Sequence, residues 1–345
     1  MDTTYVNKWE KRWHPLREEW VVYAAHRNSR PWSFDKNSIQ TNTGEIYDPT
    51  CYLCPANKRV HGDVNPNYTG VFIFDNDHPV VGINAPKVHS HDDDFLYVKE
   101  TAYGVAKVVC YHPHHNTSLS QLPGKMVADV FYAFRAETTL FKNDPTIKSI
   151  LIFENKGKEV GVSNPHPHCQ IYATDFIFKF VDQHIKVSND FKRKTGKNIF
   201  EQILKKEMDD GIRIIAENNF AVAFIPYFAR YAYEVMIFPK KRHADLSTLS
   251  DDEIEGLASV FHTVIRKYDL IYQISFPYVM SVVQAPVDGD SYQEFHMYLW
   301  LQPPLRQPGL IKYLAGPEIG IGNFMADTMP EEKAQELKNI ILSEI

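Results

Sequence analysis

Gly161-Val162-Ser163-Asn164-Pro165-His166-Pro167-His168-Cys169-Gln170 places two imidazoles two positions apart, with a proline before each of them. Proline has no backbone N–H and a fixed φ, so it favours an extended segment, in which side chains at i and i+2 leave the same face. A strand-like apolar run at 149–153 precedes this stretch, and a shorter one at 171–173 follows it. The pattern predicts a rigid segment that holds one reactive histidine beside a second histidine with a different task.

Length and composition are those of an ordinary globular protein. The chain has 345 residues, of which 44% are hydrophobic and 13% aromatic, enough for two domains or one large two-lobed core. A formal net charge of −6 offers no electrostatic footprint for nucleic acid, so no nucleic-acid partner is expected. The first residues lack the apolar segment of a secretory signal, and no run of about eighteen apolar residues occurs. These features predict a cytoplasmic protein without membrane association.

The predicted secondary structure mixes strands and helices, which are segregated more than they alternate. Runs rich in branched and aromatic residues predict strands at 20–24, 71–74 and 105–111. Helical periodicity of apolar residues predicts helices at 124–142, 198–217, 251–272 and 330–345. The fold class expected from this order is α+β.

A weak internal repeat runs through the chain. Residues 115–122 and 243–249 each begin with a histidine and each precede a predicted helix. Strands follow each helix, and the first set ends at His166-Pro167-His168 whereas the second ends at 294–298. Because only the first copy keeps the paired histidines, we expect one catalytic half and one degenerate half. The predicted halves are residues 1–178 and 179–345.

A turn-rich segment, residues 48–55, presents two thiols separated by two residues. Thiolates at this spacing can hold one tetrahedral zinc ion, Zn2+, with two further ligands from elsewhere, although a redox dithiol has the same spacing. Imidazole nitrogens complete such sites, and the candidates are His112, His114, His115 and His166. The set expected to form a closed structural zinc site is Cys51, Cys54, His115 and His166. Cys110 follows an apolar run, and both Cys110 and Cys169 are expected in the core.

The remaining histidine of the pair, His168, suits covalent catalysis at phosphorus. An unprotonated imidazole is a good nucleophile and a good leaving group, so it can split one nucleotidyl transfer into two displacements. Gln170, two residues further along, can hold a phosphate oxygen without taking a proton. Small or hydrogen-bonding groups expected around the same pocket are Asn155, Gly161 and Ser163.

A basic segment follows the first predicted strand. Arg27 and Arg30 lie three residues apart there, and guanidinium groups match phosphate oxygens in two-point geometry. They could clamp a diphosphate or a sugar phosphate. Two arginines at a strand end are also common as solvated charges, and the segment alone favours that interpretation.

The signature Asn-Pro-His-Pro-His, followed two residues later by Gln, resembles that of the galactose-1-phosphate uridylyltransferase family of the histidine-triad superfamily. The resemblance extends over nearly the whole chain, through Trp20 and residues 27–32, 48–57, 65–77, 109–119, 153–173 and 312–318. It implies a duplicated histidine-triad unit with antiparallel sheets flanked by helices. The activity it implies is exchange of UMP between UDP-glucose and galactose 1-phosphate, or another hexose 1-phosphate, by a ping-pong reaction through a uridylyl-histidine in galactose metabolism.

The resemblance also implies roles for single residues. His168 is the implied nucleophile, Gln170 steadies the phosphates, and Arg27 and Arg30 contact phosphoryl groups. Asn76 matches a uridine or ribose contact. Asn155, Gly161 and Ser163 match phosphate or hexose contacts. Lys312 and Tyr313 match sugar-binding residues that commonly come from a neighbouring subunit, which implies a homodimer with shared active sites.

The chain departs from the family pattern at a second metal site, often iron, which many members hold. Gln284 stands where a histidine is usual, His296 is retained alone in its segment, and His184 lies near the position of an expected glutamate. We therefore expect the second metal to be absent or much altered.

Two alternatives to the uridylyltransferase remain open from sequence. One is an adenylyl-transferring sugar-nucleotide phosphorylase of the same superfamily, which a different base pocket would distinguish. The other is a nucleotide-binding protein without turnover, disfavoured because His168 and Gln170 are both present. Hydrolysis is less expected, since Gln170 replaces an imidazole that would carry a proton for water attack.

Overall fold

One antiparallel sheet runs through both halves of the chain. A computed structural model describes residues 8–25, 27, 44–90, 96–162 and 164–343. The strands of these residues are β1 (Trp9–His14), β2 (Glu19–Ala24), β3 (Phe72–Asp75), β4 (His89–Ser90), β5 (Lys99–Glu100), β6 (Gly104–Cys110), β7 (Ser149–Lys156), β8 (His168–Thr174), β9 (Ile214–Glu217), β10 (Ala221–Phe224), β11 (Val235–Pro239), β12 (Tyr278–Val283), β13 (Tyr298–Gln302), β14 (Leu305–Gln307), β15 (Leu310–Ile311) and β16 (Met325–Ala326). Among the described residues, nine strands form the main sheet in the order β3-β6-β8-β7-β12-β13-β11-β10-β9.

Five α-helices accompany the strands within the described residues. They are α1 (Gly124–Lys142), α2 (Lys179–Thr195), α3 (Ile199–Asp210), α4 (Asp251–Tyr272) and α5 (Pro330–Lys338). The start of α4 shows how the sequence sets these bounds. Ser250 accepts a hydrogen bond from the backbone N–H of Glu253 at 3.3 Å, and the Glu253 carboxylate accepts from the Ser250 N–H at 2.8 Å. This reciprocal capping box satisfies two donors that the first turn would otherwise leave unpaired.

The order of the strands reveals the internal duplication. In the first half, the sequence β6-α1-β7-β8 gives the sheet order β6-β8-β7, and in the second half β11-α4-β12-β13 gives β11-β13-β12. The two units meet where β7 pairs with β12, with Phe153 opposite Ser281. The predicted α+β fold with a duplicated antiparallel unit is confirmed. The boundary between residues 178 and 179 stays a prediction, since the sheet is continuous across both units.

The two helices that belong to the repeated units pack against each other on one face of the sheet. The ring centroids of Phe131 on α1 and Phe261 on α4 lie 5.3 Å apart within the largest hydrophobic cluster. The contacts before the helices are reciprocal, since Ser120 bonds to Asp269 on α4 and Lys142 on α1 bonds to Asp245 at 2.7 Å. This side of the sheet is therefore closed in both halves.

The opposite face of the sheet differs between the halves. In the second half α2 and α3 cover it, and Tyr298 and Trp300 of β13 lie buried in a cluster with Phe200 of α3. In the first half the corresponding strand, β8, presents His168 and Gln170 on this face, and both are only half-buried. Within the described ranges, no helix covers this face in the first half, whereas α2 and α3 bury it in the second half.

Several predicted elements need correction. The helices at 124–142 and 251–272 are confirmed with the same bounds, and the three predicted strands overlap β2, β3 and β6. The helix predicted at 198–217 is wrong beyond 210, because Gly211 adopts φ 66° and the chain continues into β9. The helix predicted at 330–345 ends at Lys338. Helix α2 was not predicted.

Candidate functional site

Strand β8 divides its side chains cleanly between the core and the open face. Cys169, Ile171 and Ala173 are buried in the largest hydrophobic cluster. The alternating residues, His168, Gln170 and Tyr172, are half-buried on the other side of the strand. Because the strand period is two, the positions that carry the predicted chemistry are brought to one face by the same pattern that buries the core residues.

The backbone fixes the tautomer of His168. Its Nδ1 lies 2.7 Å from the carbonyl oxygen of His166, and a carbonyl oxygen can only accept, so Nδ1 carries the proton. Nε2 therefore bears the lone pair, and no hydrogen-bond partner reaches it among the described residues. Burial lowers the pKa of His168, which favours the neutral ring, although the hydrogen bond to His166 partly opposes this shift. The geometry gives a neutral imidazole with one free nitrogen.

His168 borders a cavity of about 830 Å³. Asn155 and Gly157, at the end of β7 and just beyond it, line the same cavity. A smaller adjoining space of about 40 Å³ is lined by His168, Gln170, Asn155 and Gly161. The structure thus places four of the predicted site residues together. Ser163 lies outside the described residues.

The loop after β7 is shaped by two glycines. Gly157 has φ 98° and Gly161 has φ 82°, conformations that other residues adopt only with strain. At Gly157 a Cβ would lie 2.7 Å from Cβ of Pro277, so space is restricted there as well. Gly161 has open space around its Cα. The two glycines let the chain turn back from β7 into the proline-containing segment at the edge of the cavity.

The four predicted metal ligands form one buried group, which includes His166 of this segment. Their donor atoms are all within 4.8 Å of one another, and all four side chains, Cys51, Cys54, His115 and His166, are buried. Cys54 Sγ is 3.6 Å from Nδ1 of His115 and 3.6 Å from Nδ1 of His166. A sulfur and a nitrogen on one tetrahedral zinc ion are about 3.6 Å apart, so these distances fit a single ion.

Surrounding hydrogen bonds hold the ligands in a metal-binding orientation. His166 Nε2 lies 3.1 Å from the carbonyl oxygen of His112, which places the proton on Nε2 and leaves Nδ1 directed at Cys54. The Tyr68 hydroxyl lies 3.1 Å from the same Nε2 atom. Asn164 contacts Cys51 Sγ at 3.5 Å through its amide nitrogen. Burial raises the pKa of Cys54 to about 11, so a bound cation is what would stabilise the thiolate there. The residues fit a metal ion.

His112 and His114, the other two candidate ligands, lie outside this group. Their rings contact each other at a centroid distance of 4.4 Å, and His112 Nδ1 accepts from the backbone N–H of His114 at 3.2 Å. Cys110 and Cys169 are buried, as predicted for core residues. None of the four cysteines forms a disulfide.

Asn76 lies beside Gln170 at the end of β3. Its amide nitrogen donates to Gln170 Oε1 at 3.1 Å, and its Oδ1 accepts from the backbone N–H of His78 at 2.8 Å. This contact brings Asn76 to the same face of the sheet as His168. The implied role of Asn76 toward uridine or ribose stays a prediction.

Another cluster of charged side chains contains Arg27 and Lys312. Asp327 forms ion pairs with Arg27, at 3.6 Å, and with Arg306, and Lys312 pairs with Glu318. Tyr313 is 71% exposed next to Lys312. Among the described residues, no hydrogen bond or ion pair joins this group to His168 or Gln170. Arg30 lies outside the described residues.

The residues at the predicted second metal position make other contacts. Gln284 accepts from the backbone N–H of Leu246 at 3.2 Å, and His296 Nε2 lies 3.0 Å from the carbonyl oxygen of Pro239. His184 is buried against the rings of Phe200 and Tyr298. The loss or alteration of a second metal stays a prediction.

Sequence reasoning missed three residues near the site. Tyr172 donates to Gln170, Tyr68 contacts the ligand His166, and Glu154 lies buried at the cavity with its carboxylate 2.9 Å from the Tyr278 hydroxyl. Burial raises the pKa of Glu154 to about 7. Only Tyr172 had a sequence signal, since it follows Gln170 by two positions on a predicted strand. The other two depend on contacts between distant segments.

The fold and the site define a duplicated α+β protein. It has an imidazole nitrogen directed at a cavity, beside two buried cysteines and two buried histidines. Residues 1–177 match the family model for the galactose-1-phosphate uridyl transferase N-terminal domain, and residues 184–345 match that for its C-terminal domain. The chain belongs to the galactose-1-phosphate uridyl transferase family.

Individual relatives match over nearly their full length. A galactose-1-phosphate uridylyltransferase of Saccharomyces cerevisiae is 32% identical over 96% of this chain and 94% of its own. One from Haemophilus influenzae is 32% identical over 97% of this chain and 95% of its own. A solved uridylyltransferase structure has a TM-score of 0.77 and 28% identity, over 95% of this chain and 97% of that chain.

Proposed function

We propose that this enzyme transfers UMP from UDP-glucose to galactose 1-phosphate, or another hexose 1-phosphate, through a uridylyl group on Nε2 of His168. Membership of the family and the names of its relatives support the reaction. The observation that carries it is the 2.7 Å hydrogen bond from His168 Nδ1 to the His166 carbonyl oxygen, which leaves the lone pair on Nε2.

The chemistry consists of two displacements at phosphorus. The Nε2 lone pair attacks the α-phosphorus of UDP-glucose, a nitrogen–phosphorus bond forms, and the bond from that phosphorus to the bridging oxygen breaks. Glucose 1-phosphate leaves with the electron pair on its phosphate oxygen and needs no proton. A phosphate oxygen of the second hexose 1-phosphate then attacks the same phosphorus, and the nitrogen–phosphorus electron pair returns to Nε2. The enzyme ends each cycle unchanged.

The His166 carbonyl has a role in both steps. Once Nε2 is bonded to phosphorus, the ring carries positive charge, and the Nδ1–H···O hydrogen bond to His166 becomes charge-assisted and stronger. To Gln170, on the same strand face, we assign hydrogen bonds to the phosphoryl oxygens. Asn155 and Gly161 line the adjoining space, and we assign phosphate or hexose contacts to them and to Ser163.

We assign the buried cluster of Cys51, Cys54, His115 and His166 as a site for Zn2+. Two thiolates and two imidazole nitrogens form a donor set that suits zinc. Four protein ligands leave no open position, so the ion would stabilise the fold. Its effect on the reaction would be indirect, because anchoring the His166 side chain also anchors the carbonyl that orients His168.

The charged cluster that contains Arg27 and Lys312 supports a shared active site in a homodimer. Arg27, Arg306 and Lys312 bring three cations together around the carboxylates of Asp327 and Glu318. Exposed apolar side chains follow Lys312 in the sequence, namely Tyr313, Leu314, Ile319 and Ile321. We infer that this surface, with Arg30, contributes phosphate-binding and sugar-binding groups to the cavity of a second copy. A metabolic enzyme of this kind would work in the cytoplasm.

A mixing experiment tests the sharing of sites. His168→Gly and Lys312→Ala proteins, each of low activity, would be denatured together and refolded to form hybrid dimers. Sharing predicts that the mixture regains activity, because one of the two sites in a hybrid combines an intact His168 with an intact Lys312. A mixture no more active than its components would refute the shared site.

The reaction itself is tested by one turnover without acceptor. The enzyme is incubated with UDP-glucose, and released glucose 1-phosphate and the mass of the protein are measured, followed by peptide mapping. We expect one equivalent of glucose 1-phosphate and a UMP-sized adduct on His168. An adduct from ADP-glucose instead of UDP-glucose would show an adenylyl transferase, and no adduct from either would refute covalent transfer.

A further inference from the structure

The side-chain carbonyl oxygen of Gln170 is held by two donors. Asn76 Nδ2 and the Tyr172 hydroxyl each lie 3.1 Å from Gln170 Oε1. With its oxygen committed to both of them, the amide has its NH2 group left as a donor, and no described residue accepts from it. Gln170 and His168 both line the small space beside the cavity. The NH2 group of Gln170 is therefore a donor for a ligand in that space.

The orientation of both amides is set by a backbone N–H, a group that can only donate. The backbone N–H of His78 donates to Asn76 Oδ1 at 2.8 Å, so the Asn76 NH2 group must be on the side that faces Gln170. Rotation of the Asn76 amide by half a turn would set its NH2 group against that N–H. Rotation of the Gln170 amide would set its NH2 group against the Asn76 NH2 group and lose both hydrogen bonds to Oε1.

Tyr172 is itself fixed in place. It lies two residues after Gln170 on the same face of β8, and its ring meets that of Phe153 at a centroid distance of 4.9 Å and an angle of 73°. Phe153 pairs with Gln170 across β7 and β8, so these three side chains are neighbours. Burial raises the pKa of Tyr172, and the hydroxyl keeps its proton as a donor at neutral pH.

We propose that Tyr172 is a positioning residue which, together with Asn76, presents the NH2 group of Gln170 to the anionic phosphoryl oxygens of the nucleotide. This inference rests on the proposed function, since it concerns the phosphoryl group that His168 accepts. The orientation matters because a reversed amide would direct its carbonyl lone pairs at negatively charged oxygens. Tyr172 therefore acts through Gln170 and has no contact of its own with the phosphate in this scheme.

The test is one double-mutant cycle, built from Tyr172→Phe and Gln170→Ala and followed by two readouts. Tyr172→Phe keeps the ring beside Phe153 and removes only the hydroxyl. The matched control is Tyr132→Phe, which removes a hydroxyl that bonds to Glu255 at the surface. One readout is the single-turnover release of glucose 1-phosphate from UDP-glucose. The other is calorimetric binding of UMP and of uridine, which differ only in the phosphate.

We expect Tyr172→Phe to slow release and to weaken UMP binding by about three- to tenfold, the size of one lost hydrogen bond. Uridine binding should be unchanged, because the phosphate is absent. In the Gln170→Ala background, Tyr172→Phe should have no further effect on either readout. Tyr132→Phe should change nothing.

The result that overturns the inference is an equal loss from Tyr172→Phe in both backgrounds, or an equal weakening of UMP and uridine. Either would show that Tyr172 acts independently of Gln170. This failure differs from failure of the proposed function, in which the unmodified enzyme would release no glucose 1-phosphate and form no adduct. In that case the inference falls with it.

Discussion

Nδ1 of His168 lies 2.7 Å from the carbonyl oxygen of His166, the residue whose own side chain lies 3.6 Å from Cys54 Sγ in the buried ligand group. One short segment thus connects the proposed zinc ion with the proposed nucleophile. Pro167 restricts φ between the two histidines, so the carbonyl cannot turn easily while the His166 side chain is anchored. The backbone carbonyl of His166 therefore orients the ring of His168.

Replacement of His168 by glycine should abolish transfer from UDP-glucose. The variant lacks the nitrogen that forms the covalent intermediate, and we expect the turnover rate to fall by at least about a thousandfold. The rate is measured with saturating UDP-glucose and galactose 1-phosphate. His114→Gly is the matched control, since it removes an exposed imidazole from the neighbouring segment and should keep the native rate. Substantial activity in the His168→Gly protein would exclude His168 as the nucleophile.

Loss of a cysteine ligand should act on stability through the metal. Cys54→Ala removes one of four ligands from a buried site, and we expect bound zinc to fall from about one per chain to well below that. The free energy of unfolding should drop by more than about 3 kcal/mol. Metal content is measured by mass spectrometry and stability by urea denaturation. Cys110→Ala, a buried cysteine outside the ligand group, should retain the metal. Full stability after removal of all metal by a chelator would contradict a structural ion.

The sequence predicted best where the local pattern and the tertiary fold agree. The helix at 251–272 has a capping box at its start and an apolar stripe throughout, and its predicted bounds are those observed. The helix predicted at 198–217 failed past residue 210, because apolar residues 214 and 215 continued the helical pattern although Gly211 had ended the helix. Helix α2 is amphipathic, but two of the four residues on its buried face, His184 and Ser188, are polar, so apolar residues alone mark this helix weakly.

In the candidate site, too, local spacing predicts some contacts and the tertiary fold decides others. His168 and Gln170 are neighbours on one strand face, so their spacing alone predicts that they act together. The contact between Tyr68 and His166 joins residues 98 positions apart, and no local pattern reports it. The open face around His168 depends on where α2 and α3 pack. They cover β13, and no helix in the described part of the chain covers β8 on this face, which only the three-dimensional structure reveals.

The two glycines after β7 should differ in their tolerance of alanine. Gly161→Ala meets no neighbour but is strained by φ 82°, and we expect a loss of about 1 kcal/mol. Gly157→Ala is strained by φ 98° and also collides with Pro277, so its loss should be larger, about 2–4 kcal/mol. Gly70→Ala, at a position with open space and no positive φ, should cost almost nothing. Urea denaturation of the three variants decides the order. Equal losses at Gly157 and Gly161 would show that the loop relaxes around the new methyl group.

Acid should destabilise the enzyme in part through His184. Burial, and next the charge of Arg17, lower the pKa of His184 to about 3 from an ordinary value of 6.5. Neither ring nitrogen has a hydrogen-bond partner among the described residues. Between these two pKa values the unfolded chain binds a proton that the folded chain does not. The free energy of unfolding therefore falls as the pH drops below 6.5, by about 1.4 kcal/mol per pH unit for this residue.

His184→Phe isolates this contribution, because phenylalanine suits the surrounding rings of Phe200, Phe295 and Tyr298. Other groups titrate over the same range, above all His14, which is also buried with a lowered pKa. The comparison is therefore the difference between variant and unmodified enzyme at about pH 7, 6 and 5 by urea denaturation. We expect the slope with pH to become shallower by about 1 kcal/mol per unit in the variant. Parallel curves for His184→Phe and the unmodified enzyme would mean that His184 takes up its proton in the folded state.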